Sequence, residues 1–235
     1  MTDVVVTHGA WSSGWAWKRM RGRLADRGIT LWTPSYTGVG ERTHLAVPSI
    51  DLDCHVTDVV TMLEYEDLRD VVIVAHSYGG MVGTGVLDRA GDRISGIVYL
   101  DAFVPVGGQS LFDLLPDEAA AGMITAADTA GDGWRVPPTP LPPDTSASDV
   151  EWITPRRGPQ PIETLRQPLA LTNDTSATPR SYIYCLRAGP GDVFGPFAAM
   201  ARDDTAWRYR EIDASHSPHI TAPDELTELI VELTG

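Results

Sequence analysis

The sequence is poor in positive charge, and almost all of what it has is arginine. Its 235 residues include 18 Lys and Arg against 32 Asp and Glu, for a formal net charge of −14, and Lys18 is the single lysine. A surface of this kind repels phosphate backbones and anionic membranes. We therefore expect a small-molecule substrate, no nucleic-acid or membrane partner, and a mild bias against strongly anionic substrates.

Cysteine and long apolar runs are equally scarce. Cys54 falls in a helical pattern and Cys185 in a strand pattern, with a spacing typical of neither a metal site nor a disulfide framework, so we expect two buried thiols and no metal. No apolar run is long enough to cross a membrane. The chain opens on a strand pattern instead of a basic and apolar leader, so the cytoplasm is the simplest expected location.

What the sequence does contain is a series of short apolar runs that alternate with helix-period segments. The central runs are continuous, as in strands buried on both faces. The alternation predicts an α/β fold with a mainly parallel sheet covered by helices on both faces. The predicted strands are 3–7, 29–33, 71–75, 95–100, 181–187 and 207–212. The predicted helices are 15–27, 52–65, one beginning at Gly79, 196–202 and 222–233.

One segment, residues 107–180, breaks this alternation. It holds more than half of the 18 prolines of the chain, including 137-PPTPLPP-143. A structureless loop of this length is implausible inside a compact domain, and the apolar residues of the segment argue against disorder. We interpret it as a cap inserted over the active site, with short helices near 110–122 and 161–170. Residues 1–106 and 181–235 then form the core.

The stretch 75-AHSYGG-80 begins at the last residue of the third apolar run. In a strand–turn–helix, the residue at the apex is presented on a strained backbone, and its neighbours at −2 and +2 must be small to avoid clashes. Ala75 and Gly79 meet this need. The apex residue, Ser77, is therefore expected to expose its hydroxyl at the carboxyl end of the sheet, where ligands bind in such folds. This pattern predicts a nucleophilic serine.

A base for this serine is found in 213-DASHSPHI-220. His216 lies between the last predicted strand and the last predicted helix, and it follows the serine in the order typical of this fold. A histidine can accept and return a proton near neutral pH. His219 is a weaker candidate, with a surface or capping role as its alternative.

Several aspartates could orient His216. Asp192 follows the fifth predicted strand and is the first choice, although it also precedes a helix that it could cap. Asp101 follows the fourth strand and is the alternative. Asp174 is a third and weaker candidate.

Backbone amides complete the predicted site. An oxyanion hole needs two donors aimed at the developing negative charge. We expect these to be the amide of Tyr78, which follows the serine, and that of Ala10 in 8-HGAW-11. The walls of the substrate pocket are assigned to aromatic residues: Trp11, Tyr78, Phe103, Trp134 and Trp152.

Taken together, these motifs resemble those of α/β-hydrolases in the group of EstC-type and pyrethroid-hydrolase-like esterases, plant methyl esterases and hydroxynitrile lyases. The resemblance implies a six-stranded core without the first hairpin of larger relatives, a cap and no cofactor. It also implies Ser77 as nucleophile, His216 as base, and the amides of Ala10 and Tyr78 as the oxyanion hole. The resemblance is carried by 8-HGAWSSGWAW-17, 36-YTGVGERTHLA-46, 71-VVIVAHSYGGMV-82, 98-VYLDAFVPVGGQSLFDLLP-116 and 215-SHSPHITAPDEL-226.

The leading functional hypothesis is a serine hydrolase that cleaves a small, fairly apolar ester, thioester or lactone through an acyl-enzyme. One alternative is a lyase, cyclase or other tailoring enzyme of secondary metabolism that uses the same Ser/His site. Another is a small-molecule-binding protein with a vestigial triad. Hydroxynitrile lyases of the group have a lysine after the triad histidine, whereas this chain has Ser217, which argues against cyanohydrin cleavage. The oligomeric state is left open, a homodimer included.

Overall fold

A six-stranded parallel sheet forms the centre of the structure, a computed structural model that describes residues 2–189 and 191–235. In chain order the strands are β1 (Thr2–Thr7), β2 (Ile29–Trp32), β3 (Val71–His76), β4 (Ile94–Leu100), β5 (Arg135–Val136), β6 (Gln160–Pro161), β7 (Arg180–Cys185) and β8 (Trp207–Ile212). The sheet has the order β2-β1-β3-β4-β7-β8 with every neighbour parallel, and β5 and β6 form a separate antiparallel pair. The predicted fold class is confirmed.

Helices cover both faces of this sheet. They are α1 (Lys18–Ala25), α2 (Leu52–Tyr65), α3 (Gly79–Arg89), α4 (Asp117–Ala130), α5 (Ala147–Ile153), α6 (Glu163–Arg166), α7 (Gly195–Asp203), α8 (Pro218–Thr221) and α9 (Pro223–Thr234). Side chains alternate along each strand, so Val5 and Ile73 pack with α2, α3 and α7, whereas Val4 and Val74 pack with α1 and α9. Every residue of β3 is buried, which explains why its sequence is continuously apolar.

Segment 107–180 contains regular structure throughout much of its length. The helix expected near 110–122 begins later, after Pro116, and continues through an alanine-rich run to Ala130. The helix expected at 161–170 shortens to α6, and α5 was not predicted at all. Among the described residues, no helix combines the length and apolarity needed to cross a bilayer. Of the two thiols expected to be buried, Cys185 is buried, but Cys54 is only partly so.

Candidate active site

The turn between β3 and α3 places Ser77 at its apex. The φ of Ser77 is 57°, in the left-handed region that residues with a side chain rarely adopt. Its carbonyl oxygen is held by the amides of Gly80 at 2.9 Å and Phe103 at 3.3 Å. A Cβ on Gly79 would overlap the carbonyl oxygen of Thr7, and one on Gly80 would overlap that of Phe103. Close packing of backbone on backbone therefore explains the small residues around the serine.

A hydrogen-bonded chain of three side chains leads away from this apex. The Ser77 hydroxyl donates to Nε2 of His216 at 2.9 Å, and Nδ1–H of His216 donates to Oδ2 of Asp101 at 2.7 Å. The second oxygen of Asp101 accepts from the amide of Cys185 at 3.2 Å, and the side chain is buried. Asp101 fixes the imidazole so that Nε2 faces the serine, an arrangement that can activate a hydroxyl as a nucleophile.

The prediction that Asp192 orients His216 is wrong. Its carboxylate accepts from the Tyr184 hydroxyl at 2.6 Å and from the amides of Phe194 and Gly195 at 2.9 and 3.0 Å, so it caps the start of α7. Asp101, the alternative, is the carboxylate that contacts His216. Asp174 lies in an exposed turn, where it accepts from the Ser176 amide at 2.9 Å.

Two amides are the candidate donors of an oxyanion hole: that of Tyr78, which directly follows Ser77 in the chain, and that of Ala10, which lines the same cavity as Ser77. Within the described part of the chain, neither donates a hydrogen bond to another residue of the protein. The Tyr78 ring, expected in the pocket wall, is instead buried beneath the turn, where its hydroxyl donates to Nδ1 of His55 at 2.9 Å. This side chain therefore anchors the amide that follows Ser77.

A contact with segment 107–180 fixes the loop that carries Ala10. The next residue, Trp11, donates its amide to Oε1 of Gln160 at 3.3 Å and its indole N–H to the carbonyl oxygen of Val136 at 3.0 Å. Gln160 is buried and donates in turn to the Thr164 hydroxyl at 2.7 Å. Sequence reasoning missed this glutamine because no local motif surrounds it.

A cavity of about 310 Å³ opens above Ser77 and His216. Its lining includes the loop of Gly9, Ala10 and Trp11 and the proline-rich stretch 139–143 of segment 107–180. Its walls are mostly apolar, as those of small-molecule sites usually are, and Ser77 and His216 are partly exposed at its base.

A model of the alpha/beta hydrolase family matches residues 4–229. This chain belongs to the α/β-hydrolase family. It is 36% identical over 242 residues to a carbendazim-hydrolyzing esterase from Nocardioides sp. (strain SG-4G), covering 99% of this chain and 100% of that protein. It is 24% identical to a pyrethroid hydrolase from Sphingobium wenxiniae, covering 99% and 87% of the two chains. An extracellular alpha/beta-hydrolase from a Paenibacillus species superposes with a TM-score of 0.85 at 26% identity, over 99% of each chain.

Only one of the aromatic side chains predicted to wall the pocket of this α/β-hydrolase, Trp11, lines the cavity. Phe103 is buried, with Phe194 edge-on at 5.0 Å between ring centres. Trp152 packs edge-on against Trp15 at 5.2 Å. The other, Trp134, lies beneath the guanidinium of Arg135 at 5.0 Å and packs against the core. These three residues serve packing, because their rings fill space between helices and loops.

Aromatic and histidine rings surround the imidazole of His216 in this α/β-hydrolase. The ring of Phe194 stacks on that of His216 with 4.7 Å between centres and 9° between planes. Nε2–H of His76 donates to the main-chain carbonyl oxygen of His216 at 2.6 Å. His219, expected to have a surface or capping role if not catalytic, is buried and stacks on Trp17 at 4.6 Å. The imidazole is therefore restrained on several sides.

Burial keeps four histidines near the site neutral. It lowers the pKa of His8 to about 4 and the pKa of His55 and of His219 to about 3. Burial, followed by repulsion from His216, also lowers the pKa of His76 well below its usual value. A protonated imidazole at any of these buried positions would lack the hydration that stabilises its charge in water.

Acidification should therefore destabilise the fold. Below the unfolded-state pKa of about 6.5 the unfolded chain binds protons that the folded chain excludes, until the pH reaches the folded-state values near 3 to 4. The free energy of unfolding should fall by up to about 1.4 kcal/mol per pH unit for each such histidine. Urea unfolding at a series of pH values from neutral to acid measures this slope. His55→Gln should make the slope shallower, and equal stability across the series would contradict the account.

Proposed function

We propose that the protein is a serine esterase that hydrolyses a small, fairly apolar ester through an acyl-enzyme on Ser77, with thioesters and lactones as further members of the substrate class. The observation that carries the proposal is the unbroken chain of hydrogen bonds from Asp101 through His216 to Ser77, at the floor of a cavity of about 310 Å³. The names of the relatives, an esterase and a pyrethroid hydrolase, support the same reaction class.

The geometry accounts for each step of such a reaction. As Ser77 Oγ attacks the ester carbonyl, its proton passes to Nε2 of His216, and Asp101 stabilises the imidazolium. The oxyanion is held by the amides of Ala10 and Tyr78. His216 then protonates the leaving alcohol, and the acyl group stays on Ser77. A water molecule then gives a proton to His216 and attacks the acyl-enzyme, and His216 passes that proton to Ser77 Oγ as the acid is released.

The residue after His216 bears on the choice between hydrolysis and cyanohydrin cleavage. Ser217 lines the cavity at this position and offers no positive charge to a departing cyanide. The lone lysine, Lys18, begins α1 outside the described lining of the cavity. Hydrolysis is the reaction that these side chains favour.

We also propose that residues 107–180 act as a cap. Supporting this, residues 139–143 together with Ile153 and Arg157 line the cavity. A cap that contributes to the cavity lining would set substrate specificity, whereas the core supplies the nucleophile and base. A cytoplasmic location, a dimer and a place in secondary metabolism remain predictions from the sequence.

Two measurements on the purified protein test the proposed reaction. Turnover of short-chain 4-nitrophenyl esters is measured first, and labelling by a fluorophosphonate is then followed by mass spectrometry. We expect turnover together with stoichiometric labelling of the peptide that contains Ser77. Labelling without turnover of esters, thioesters or lactones would instead favour a non-hydrolytic reaction at the same site. Neither labelling nor turnover, with small-molecule binding retained, would favour the vestigial site.

The contact between Gln160 and Trp11 predicts an effect on the oxyanion hole. Gln160→Leu removes the acceptor of the Trp11 amide and should let the neighbouring Ala10 amide drift. Since misplacing a catalytic group by about 1 Å can cost about a hundredfold, we expect kcat to fall about tenfold to a hundredfold while KM changes little. Steady-state kinetics with a short-chain ester measures the two constants separately.

A matched control is Gln109→Leu, in which the lost acceptor is that of the Val106 amide at 2.9 Å in an exposed loop. This variant should keep the parent kcat. Equal kcat in Gln160→Leu and the parent, or a change in KM alone, would show that Gln160 does not position the oxyanion loop.

A further inference from the structure

Arg157 stands out among the residues that line the cavity. It follows the short 3₁₀ helix Thr154–Arg156 and is half-buried. Its Nη1 donates to the carbonyl oxygen of Thr139 at 2.6 Å, and its guanidinium carbon lies 6.0 Å from the centre of the Trp11 ring. Because Trp11 directly follows Ala10, this cation borders the oxyanion side of the cavity.

Two arginines line the described part of this cavity, and they differ in their partners. Arg187 forms an ion pair with Asp213, with 2.8 Å from its Nε to Oδ1. Within the described residues, Arg157 forms no ion pair with a carboxylate. Thr139 takes one of the five N–H groups that a guanidinium carries, so the protein supplies that group with a single neutral acceptor.

A half-buried cation without a counter-charge is costly. Burial lowers the pKa of the Arg157 guanidinium, which shows that the surrounding walls disfavour its charge. A buried charge is stabilised when it is paired and hydrogen-bonded. An anionic group on a ligand would supply both, and the planar fork of a guanidinium matches a carboxylate with two parallel hydrogen bonds.

We propose that Arg157 is a specificity-determining residue that binds a carboxylate on the substrate, remote from the ester that reacts at Ser77. The preferred substrates would then be esters with one carboxylate and an otherwise apolar body. This inference rests on the proposed esterase function and extends it to a substrate class.

The net charge of −14 does not oppose a contact of this kind. Charges spread over the surface are screened beyond about 8 Å at physiological ionic strength, whereas the proposed contact is direct. Among the described residues, two carboxylates line the cavity, and both are engaged elsewhere, Asp101 by His216 and Asp192 by Tyr184 and the start of α7. One carboxylate on the substrate would therefore meet a cation with little competition, although a polyanion would be repelled.

Matched ester pairs test the proposal on either side of the scissile bond. One pair is methyl hexanoate and monomethyl adipate, which places the carboxylate on the acyl side. The other is 4-methylphenyl acetate and 4-acetoxybenzoate, which places it on the alcohol side. Acid release measured in a pH-stat gives kcat/KM for each ester, and differences in intrinsic reactivity cancel when the same pair is compared between variants.

The variants are Arg157→Gln, Arg157→Lys and Arg156→Gln. Arg156→Gln removes the same charge one residue away. The Arg156 side chain packs over Trp152 and donates to the carbonyl oxygen of Trp152. Since a hydrogen bond to a charged group contributes about 1.5–3 kcal/mol, Arg157→Gln should lower the preference for the carboxylate ester about tenfold to a hundredfold in at least one pair. Arg157→Lys should restore part of it, and Arg156→Gln should leave it unchanged.

Other outcomes would overturn the inference. If Arg157→Gln slows the neutral and carboxylate esters equally, or changes neither, Arg157 holds the wall of the cavity and does not read the substrate. In that case the esterase function stands and only this inference falls. Failure of the parent protein to hydrolyse any of the four esters would contradict the proposed function and this inference together.

Discussion

Replacing Ser77 with alanine should lower kcat for ester hydrolysis by a factor on the order of 10⁶, the scale at which the loss of a triad serine is felt in serine hydrolases. The substitution removes the only oxygen that lies within hydrogen-bond distance of Nε2 of His216 in the described structure, at 2.9 Å. The cost of the left-handed backbone conformation, with φ at 57°, should be about the same for alanine as for serine. Steady-state assays at saturating ester measure the loss.

A matched control for this variant is Ser95→Ala, whose hydroxyl bonds to the carbonyl oxygen of Asp70 at the far end of the strands. It should keep the parent kcat. The Ser77→Ala protein should also retain the parent urea midpoint and its affinity for a slow substrate. Residual hydrolysis at more than about a thousandth of the parent rate would mean that a different nucleophile, or water itself, attacks the ester.

Asp101→Asn should lower kcat about 10⁴-fold, whereas Asp192→Asn should change it by less than about threefold. The carboxylate of Asp101 accepts from Nδ1–H of His216 at 2.7 Å and so keeps Nε2 ready to accept the serine proton. An asparagine there offers an N–H instead, which favours the opposite tautomer. Asp192 caps α7 through one oxygen that accepts from the amides of Phe194 and Gly195, and asparagine keeps such an acceptor, so turnover and fold should both be nearly unchanged.

The same pair of variants separates the two assignments of the acid. Equal fluorophosphonate labelling rates in Asp101→Asn and the parent would contradict the geometry described here. A large loss of kcat in Asp192→Asn, with Asp101→Asn nearly intact, would restore the assignment made from sequence order. Circular dichroism and urea unfolding of both proteins check that either loss is not a loss of fold.

The sheet and the turn around Ser77 could be predicted because their signals are local. A continuous apolar run, two small residues and a serine lie within ten positions, and the backbone clashes at Gly79 and Gly80 give them their physical cause. The contact between Ser77 and His216 follows once the strands are parallel, since the carboxyl ends then meet at one edge.

The acid could not be chosen in this way. Asp101 and Asp192 each follow a strand, and the choice depends on the order of strands and on where each loop goes next. β4 lies beside β3, which brings Asp101 next to the serine turn. The loop after β7 turns instead into α7, where the amides of Phe194 and Gly195 need a cap. A single sequence does not show which of the two aspartates contacts the histidine and which caps the helix.

Apart from Trp11, the wall of the cavity could not be predicted from the sequence. Aromatic residues are common in pockets, but they are equally common in packing, and Phe103 and Trp152 pack edge-on against other rings. The contacts that matter, such as Gln160 with Trp11, join residues 149 positions apart. No periodicity or motif reports a pair of that kind.

The measurement that tests the central claim most directly is the detection of an acyl-enzyme. The parent protein is mixed with 4-nitrophenyl butyrate, quenched in acid during the first turnovers and digested, and its peptides are analysed by mass spectrometry. The account predicts a butyryl group on the peptide that contains Ser77, which forms with a burst of 4-nitrophenol and is absent from the Ser77→Ala protein. Release of 4-nitrophenol by a protein whose Ser77 stays unmodified from the first turnover onward would contradict it.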